Sequence, residues 1–305
     1  MSAQCHSAGL LSFTETDRSP LSIRARALVF VDPRSRKLRD QVENLAPSRQ
    51  PLLIRGESGT GKELLARHVH RHSERSGLFV AVNAGALSKA HGAAELFGQA
   101  AGYPVGPSSR AGWLGSAQGG TLYLDEIADL YLGLQQRLLE VLLHGRVLRE
   151  GATQGQAVDV RLVAASSLDL LQAVRAGTFS SELYALLHAG QINLPALRER
   201  PGDILPLAEY FLGVYAQRLD LPLPLLSEEA EQALLAYRWP GNTRELENIL
   251  HFALLVSRDG KITVPDLQFF PAWRDTGSAG NAEPRKPGQG DQVESRLPAE
   301  KQPSL

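Results

Sequence analysis

The sequence predicts an α/β phosphate-binding fold followed by a smaller, all-helical region. Three observations carry that prediction. A glycine-rich stretch, Gly56-Glu57-Ser58-Gly59-Thr60-Gly61-Lys62, lies between an apolar run, Pro51-Leu52-Leu53-Ile54, and a stretch of helical character beginning at Glu63. Three more apolar runs, at 77–83, 119–126 and 158–167, end in polar or acidic residues. Beyond Arg198 no further strand is evident, and the apolar residues recur at helical spacing.

The glycine-rich stretch is the most informative. Glycines let a backbone curl with its N–H groups inward, and a phosphate sits in that nest at the positive end of a helix. Lys62 adds a mobile charge for the β- and γ-phosphates. Strand, glycine turn and helix are the context such a loop requires. The residue after Lys62 is Glu63, where the general pattern has Ser or Thr to hold Mg2+. The metal must then rest on a carboxylate elsewhere and on the phosphates.

Composition narrows the class. The chain has 305 residues, 43% of them hydrophobic, and a net charge of −1. That charge provides no global field toward nucleic acid or membrane. The one cysteine, Cys5, has no disulfide partner, which fits a reducing, cytoplasmic setting. No apolar run is long enough to span a bilayer, and the first residues lack the order of a secretory signal.

In chain order, residues 1–26 read as a poorly ordered arm. A helix is expected from Ser35 to Leu45, with Leu38, Val42 and Leu45 on one face and Pro47 ending it. The run Gly77–Asn83 reads as a strand, and Asn83 at its end either faces a nucleotide or forms a turn. Residues 84–96 read as helix, and 98–115, rich in Gly, Pro and Ser, as a long surface loop. The strand Gly119–Glu126 closes on two carboxylates. In a phosphate-loop protein Asp125 orients magnesium or its water, and Glu126 polarises the attacking water. An amphipathic helix spans Leu132–His144, stopped by Gly145. The strand Val158–Ser167 ends in Ser166-Ser167, which either sense the γ-phosphate or cap a helix over 168–176. Helices are predicted at 203–219, 227–237 and 242–257, the last opened by a capping box, Asn242-Thr243-Arg244-Glu245. The polar segment 274–305 reads as disordered. The domains expected are therefore an α/β core at 27–200 and a helical lid at 201–273.

Five stretches together resemble a known family: Gly56–Glu63, Glu95-Leu96-Phe97-Gly98, Gly119–Glu126, Leu194–Arg200 and Trp239–Asn248. Over roughly 27–270 the chain resembles the central AAA+ domain of sigma-54-dependent transcriptional activators. The resemblance implies a doubly wound parallel sheet of P-loop AAA+ type with a C-terminal helical lid. It implies ring assembly, commonly hexameric, and ATP-driven remodelling of RNA polymerase holoenzyme containing sigma-54. The loop residues Gly56, Glu57, Ser58, Gly59, Thr60, Gly61, Lys62 and Glu63 would hold the nucleotide, with Arg244 reaching it from the lid. Asp125 would hold Mg2+, Glu126 would be the catalytic glutamate, and Asn83 the residue that switches it. Glu63 is then unsurprising, because the family normally has Glu there.

The departures from the family are as specific. Its sigma-contacting loop reads Gly-Ala-Phe-Thr-Gly-Ala, whereas residues 102–107 read Gly-Tyr-Pro-Val-Gly-Pro. Pro104 stiffens the tip and removes a donor. Ser180 and Leu186 stand where two arginines normally reach the neighbouring subunit's site, and Ser166-Ser167 replaces a Thr-Asn-like pair. No basic recognition helix and no receiver or sensor domain is visible in the sequence. These features set a regulator that hydrolyses ATP within a ring against a nucleotide-binding subunit that acts through contacts with a complete homologue. An ATPase outside transcription on the same core is a third reading.

Overall fold

The computed structural model describes residues 28–102 and 109–269. Helix α1 (Pro33–Leu45) precedes strand β1 (Leu52–Arg55), and α2 (Lys62–Arg71) follows the glycine-rich loop. Next come β2 (Phe79–Asn83), α3 (Gly92–Phe97), α4 (Gly112–Ser116), β3 (Thr121–Asp125) and α5 (Leu132–His144). A small antiparallel pair, β4 (Arg146–Val147) and β5 (Gln156–Ala157), leads to β6 (Arg161–Ser166), α6 (Leu170–Arg175), α7 (Ser181–His188) and β7 (Gln191–Asn193). The lid holds α8 (Ile204–Leu219), α9 (Glu228–Ala236) and α10 (Asn242–Val256). Strands β8 (Leu225–Leu226) and β9 (Lys261–Ile262) form a two-stranded parallel ladder beside them.

The main sheet has the order β2-β3-β6-β1-β7, and every pairing in it is parallel. All five strands therefore end on one edge. Alternation along the strands builds two cores. Leu53, Leu122, Leu124, Leu162 and Ala164 face α3, α4, α5 and α7, while Leu52, Ile54, Tyr123, Val163 and Ala165 face α1 and α2. A sheet buried on both faces by helices is the doubly wound arrangement, which explains why its strands read as continuous apolar runs. Core and lid belong to one compact unit ending at Gln268.

Several expectations need correction. The helix expected over 84–96 is broken. Asn83 caps a single 3₁₀ turn at Ala84–Ala86, Leu87 is extended, and only Gly92–Phe97 is α-helical. Gly85 and Gly92 lower helix propensity there, and the Asn83 side chain offers the turn an alternative bond. Within the expected loop 98–115, Gly112–Ser116 forms α4, whose Leu114 is buried against the sheet. The sigma-contact stretch 103–108 lies outside the described residues, as do 1–27 and 270–305. Strands also occur where none was expected. β7 has only three residues and a polar-apolar-polar pattern, and β8 and β9 have two residues each, too short for a periodic signal.

Two buried polar groups tie the layers together. Arg161, 1% exposed, donates to the carbonyls of Leu45 (2.9 Å) and Ala46 at the C-terminal end of α1. A cation there complements the helix dipole. Burial pulls its pKa down to about 10. Asp203, fully buried, accepts the backbone N–H groups of Val31 and Asp32 (2.8 Å each) and the Ser35 hydroxyl. The start of the lid is thereby fixed to the start of α1.

Candidate functional site

The loop after β1 curls because two glycines adopt conformations that other residues resist. Gly59 has φ 78° and Gly61 has φ 102°. A Cβ on Gly59 would also collide with the carbonyl of Gly241 in the lid. Thr60 closes the turn by donating its hydroxyl to the Glu57 carbonyl at 2.7 Å. Lys62 opens α2 and is 6% exposed. Its Nζ donates to the carbonyls of Gly56 (3.1 Å) and Glu57 (3.4 Å) and pairs with Glu126 Oε1 at 3.0 Å. The loop, the lysine and the acidic strand end thus form one cross-braced unit.

Parallel pairing brings the acidic end of β3 beside the other strand ends. Asn83 is the register partner of Asp125, and Arg55 that of Ser166. Asp125 accepts a hydrogen bond from Tyr123 at 2.8 Å, and burial followed by the Asp125 charge raises the Tyr123 pKa. Glu126 has φ 48°, a left-handed conformation that costs energy for a non-glycine residue and concentrates at functional sites. That turn brings its carboxylate to Lys62 and to Ser167, whose N–H (2.8 Å) and hydroxyl (2.9 Å) both donate to Oε2. Burial opposes ionisation of Glu126, but the Ser167 and Lys62 hydrogen bonds prevail and hold its pKa below the usual value. It is an ionised, oriented carboxylate.

Of the two roles expected for the serine pair, capping the following helix falls to Asp169 instead. Ser167 holds Glu126, while Ser166 Oγ bonds within the turn to Leu168. Asp169 caps α6, accepting from Leu171 N–H, and pairs with Arg55 at 2.9 Å. The Asn83 side chain accepts from Gly85 N–H at 2.9 Å, the turn-forming alternative. Glu63 is exposed and pairs with Arg67 at 2.7 Å along α2. Arg244 is exposed, and its Cβ lies 3.3 Å from where a Gly59 Cβ would stand.

The lid docks on the loop through residues that sequence patterns assigned elsewhere. Asn242 is not a helix cap. It is fully buried with φ 53°, donates to Glu57 Oε2 and the Ser58 carbonyl (3.0 Å each), and accepts from Leu197 N–H at 2.8 Å. Glu245 instead accepts Gly241 N–H at 2.8 Å. Arg198 grips Glu57 with both guanidinium nitrogens. The Arg198 hydrogen bonds, with Asn242 assisting, lower the Glu57 pKa to about 2. Arg200, 4% exposed, donates to the Thr60 carbonyl at 2.9 Å. Arg198, Arg200 and Asn242 lie in the stretches Leu194–Arg200 and Trp239–Asn248 already singled out, but their docking partners are distant in sequence. An open cleft of about 490 Å³ lies between the ends of β1, β6 and β7, lined by Gly56, Glu57, Ser167, Asn193, Leu194 and Glu199 among others.

The edge formed by α6 and α7 differs. Ser180 caps α7, accepting from Leu183 N–H at 3.2 Å and donating to Glu182 at 2.9 Å. Leu186 is half-buried and apolar. Arg198 and Arg200 are bound within their own chain, and Arg175 is exposed at the end of α6.

Comparison with known proteins places this geometry. Residues 28–193 match the family described as the Sigma-54 interaction domain, and residues 198–281 match the AAA+ ATPase lid domain. The Sigma54-dependent transcriptional regulator SfnR of Pseudomonas fluorescens is 46% identical over 261 residues, covering 85% of this chain and 71% of that protein. The Psp operon transcriptional activator of Escherichia coli is 44% identical over 214 residues, covering 69% and 66%. Among solved structures, NtrX from Brucella abortus in complex with ADP superposes with a TM-score of 0.74 at 33% identity, covering 81% of this chain and 56% of that one. The same protein in complex with ATP gives 0.73 at 34% identity, covering 79% and 54%. Among the described residues no helix is long and apolar enough to cross a membrane.

Proposed function

This chain belongs to the family of sigma-54-dependent transcriptional activators, and from that premise we propose that it binds ATP with Mg2+ at the loop 56–62 and regulates sigma-54-dependent transcription within an oligomeric ring. Its target is RNA polymerase holoenzyme, reached by protein contact. The observation that carries the reading is the junction of Lys62, Glu126 and Asp125 at the carboxyl ends of β1 and β3. A bound triphosphate offers Lys62 a competing anion, releasing Glu126 to orient water. The Asp125 carboxylate is the hard oxygen donor that Mg2+ prefers, and its Tyr123 hydrogen bond fixes its direction. Mg2+ supplies charge neutralisation on the phosphates. Arg244 projects beside Gly59, where a lid arginine can reach the nucleotide, and Asn83, next to Asp125 in register, can bias Glu126 from the neighbouring strand.

A second reading follows from Ser180 and Leu186. Charge building on the γ-phosphate in the transition state needs a cation from the neighbouring subunit, and neither residue supplies one. On this reading the chain is a hydrolysis-deficient, nucleotide-binding subunit that acts beside a complete homologue. Calorimetry with ATP and Mg2+ on the wild-type chain and on Lys62→Ala tests the binding reading. Micromolar affinity lost in the variant supports it, and equal affinity refutes it.

A further inference from the structure

The last turn of α2 carries a side-chain group that nucleotide chemistry does not use. His68 and His72 stand one helical turn apart, and Glu43 reaches them from the last turn of α1. A carboxylate oxygen of Glu43 and one nitrogen of each imidazole all lie within 4.8 Å of one another. His68 Nε2 is 3.7 Å from Glu43 Oε1. That is too long for a hydrogen bond, but close to the roughly 3.3 Å between two ligand atoms on a tetrahedral zinc ion.

Two independent features prepare these atoms. His68 Nε2 is buried and has no hydrogen-bond partner, enclosed between the rings of Phe30 (5.7 Å) and His72 (4.2 Å). Buried polar atoms almost always find a partner, so this one needs an explanation. His72 Nδ1 lies 2.9 Å from the His68 carbonyl. A carbonyl only accepts, so Nδ1 carries the proton and Nε2 keeps its lone pair. Metal-bound histidines commonly fix their tautomer by such a bond.

We propose that Glu43, His68 and His72 bind one late first-row divalent cation, such as Zn2+, and thereby clamp α1 to the far end of the helix that begins at Lys62. Two imidazoles and a carboxylate suit zinc, nickel, cobalt or copper. Magnesium prefers oxygen ligands, so the site discriminates against the nucleotide's ion. Three protein ligands leave a fourth position for water. Arg39 lies 3.8 Å from Glu43 but is held by two hydrogen bonds to Asp40, which leaves the carboxylate available. The two histidines stand about 9 and 15 Å along the α2 axis from Lys62, at about 1.5 Å per residue.

The test uses the full chain without a histidine tag, in excess Mg2+ and ADP. Zn2+ is titrated against a chromophoric chelator, and Co2+ is followed by visible absorption. We expect one equivalent of either ion, a Co2+ band typical of nitrogen ligands, and a melting temperature raised by Zn2+. His72→Gln and Glu43→Gln, both at exposed positions, should each weaken binding at least tenfold, while His144→Gln should leave it unchanged. Absence of stoichiometric binding, or equal binding in His72→Gln and Glu43→Gln, overturns the proposal.

Discussion

The two edges of the nucleotide site differ in how completely they are built. On the side of the chain's own loop, Lys62, Glu126 and Glu57 each have a partner that orients them. Lys62 pairs with Glu126, Ser167 fixes the same carboxylate, and Arg198 and Asn242 hold Glu57. On the α6–α7 edge, the residues where the family places arginines are a helix cap and an apolar side chain. On the proposed function, binding a nucleotide and hydrolysing it draw on different surfaces, and a chain can keep one while losing the other. Ser180 instead serves its own fold, satisfying the Leu183 N–H at the start of α7.

The largest effect should come from restoring the depleted edge. Ser180→Arg with Leu186→Arg should raise steady-state turnover, by up to about 10³-fold if both side chains reach the neighbour's phosphate. The rise should steepen at concentrations where rings form. No rise in assembled protein would mean that the deficit lies elsewhere. Next in size is Lys62→Ala on the complete edge. Removing a charge-assisted bond worth about 1.5–3 kcal/mol should weaken ATP binding by roughly 10- to 100-fold or more in calorimetry. The melting temperature should change little, because Glu126 keeps its two bonds to Ser167.

Much of the fold was legible because its signals are local. The glycine loop, the apolar runs of β1, β3 and β6 and the helix Leu132–His144 each sit within one continuous segment. What escaped depends on distant partners. The capping-box reading of Asn242 failed because the side chain faces Glu57, 185 residues away in sequence, rather than its own helix. Arg161 and Arg200 look like surface charges until the carbonyls they serve are folded beside them. Within the site, Asp125 and Glu126 could be read from the strand end. The Ser167 contact could not, because it joins two strand ends that meet only in the sheet.

Smaller effects probe how the lid docks on the loop. Asn242→Ala removes a buried residue with three partners and should cost about 1–3 kcal/mol by denaturant unfolding, with weaker ATP binding as the lid loosens. Unchanged stability would show that the lid docks without it. The smallest effect is a pH dependence. Glu57 has a pKa of about 2 in the fold against 4.5 ordinarily, so its ionised form favours the folded state. That contribution is complete above about pH 4.5 and is lost as pH falls toward about 2. The pair with Arg198 is well exposed, so solvent limits it to below about 1 kcal/mol. Stability of wild type and Glu57→Gln measured between about pH 6 and 3 should converge as pH falls, and a constant gap would reassign the effect to packing.

The most direct measurement is steady-state ATP hydrolysis by the wild-type chain alone, followed across a wide range of protein concentration with assembly monitored in parallel. If the loop edge binds and the α6–α7 edge supplies no cation, turnover should be very slow and stay flat as rings form. Adding a homologue that carries both arginines should then raise it. Brisk hydrolysis by the wild-type chain alone, rising with concentration, would contradict this account and make Arg175 the first residue to test as the missing cation.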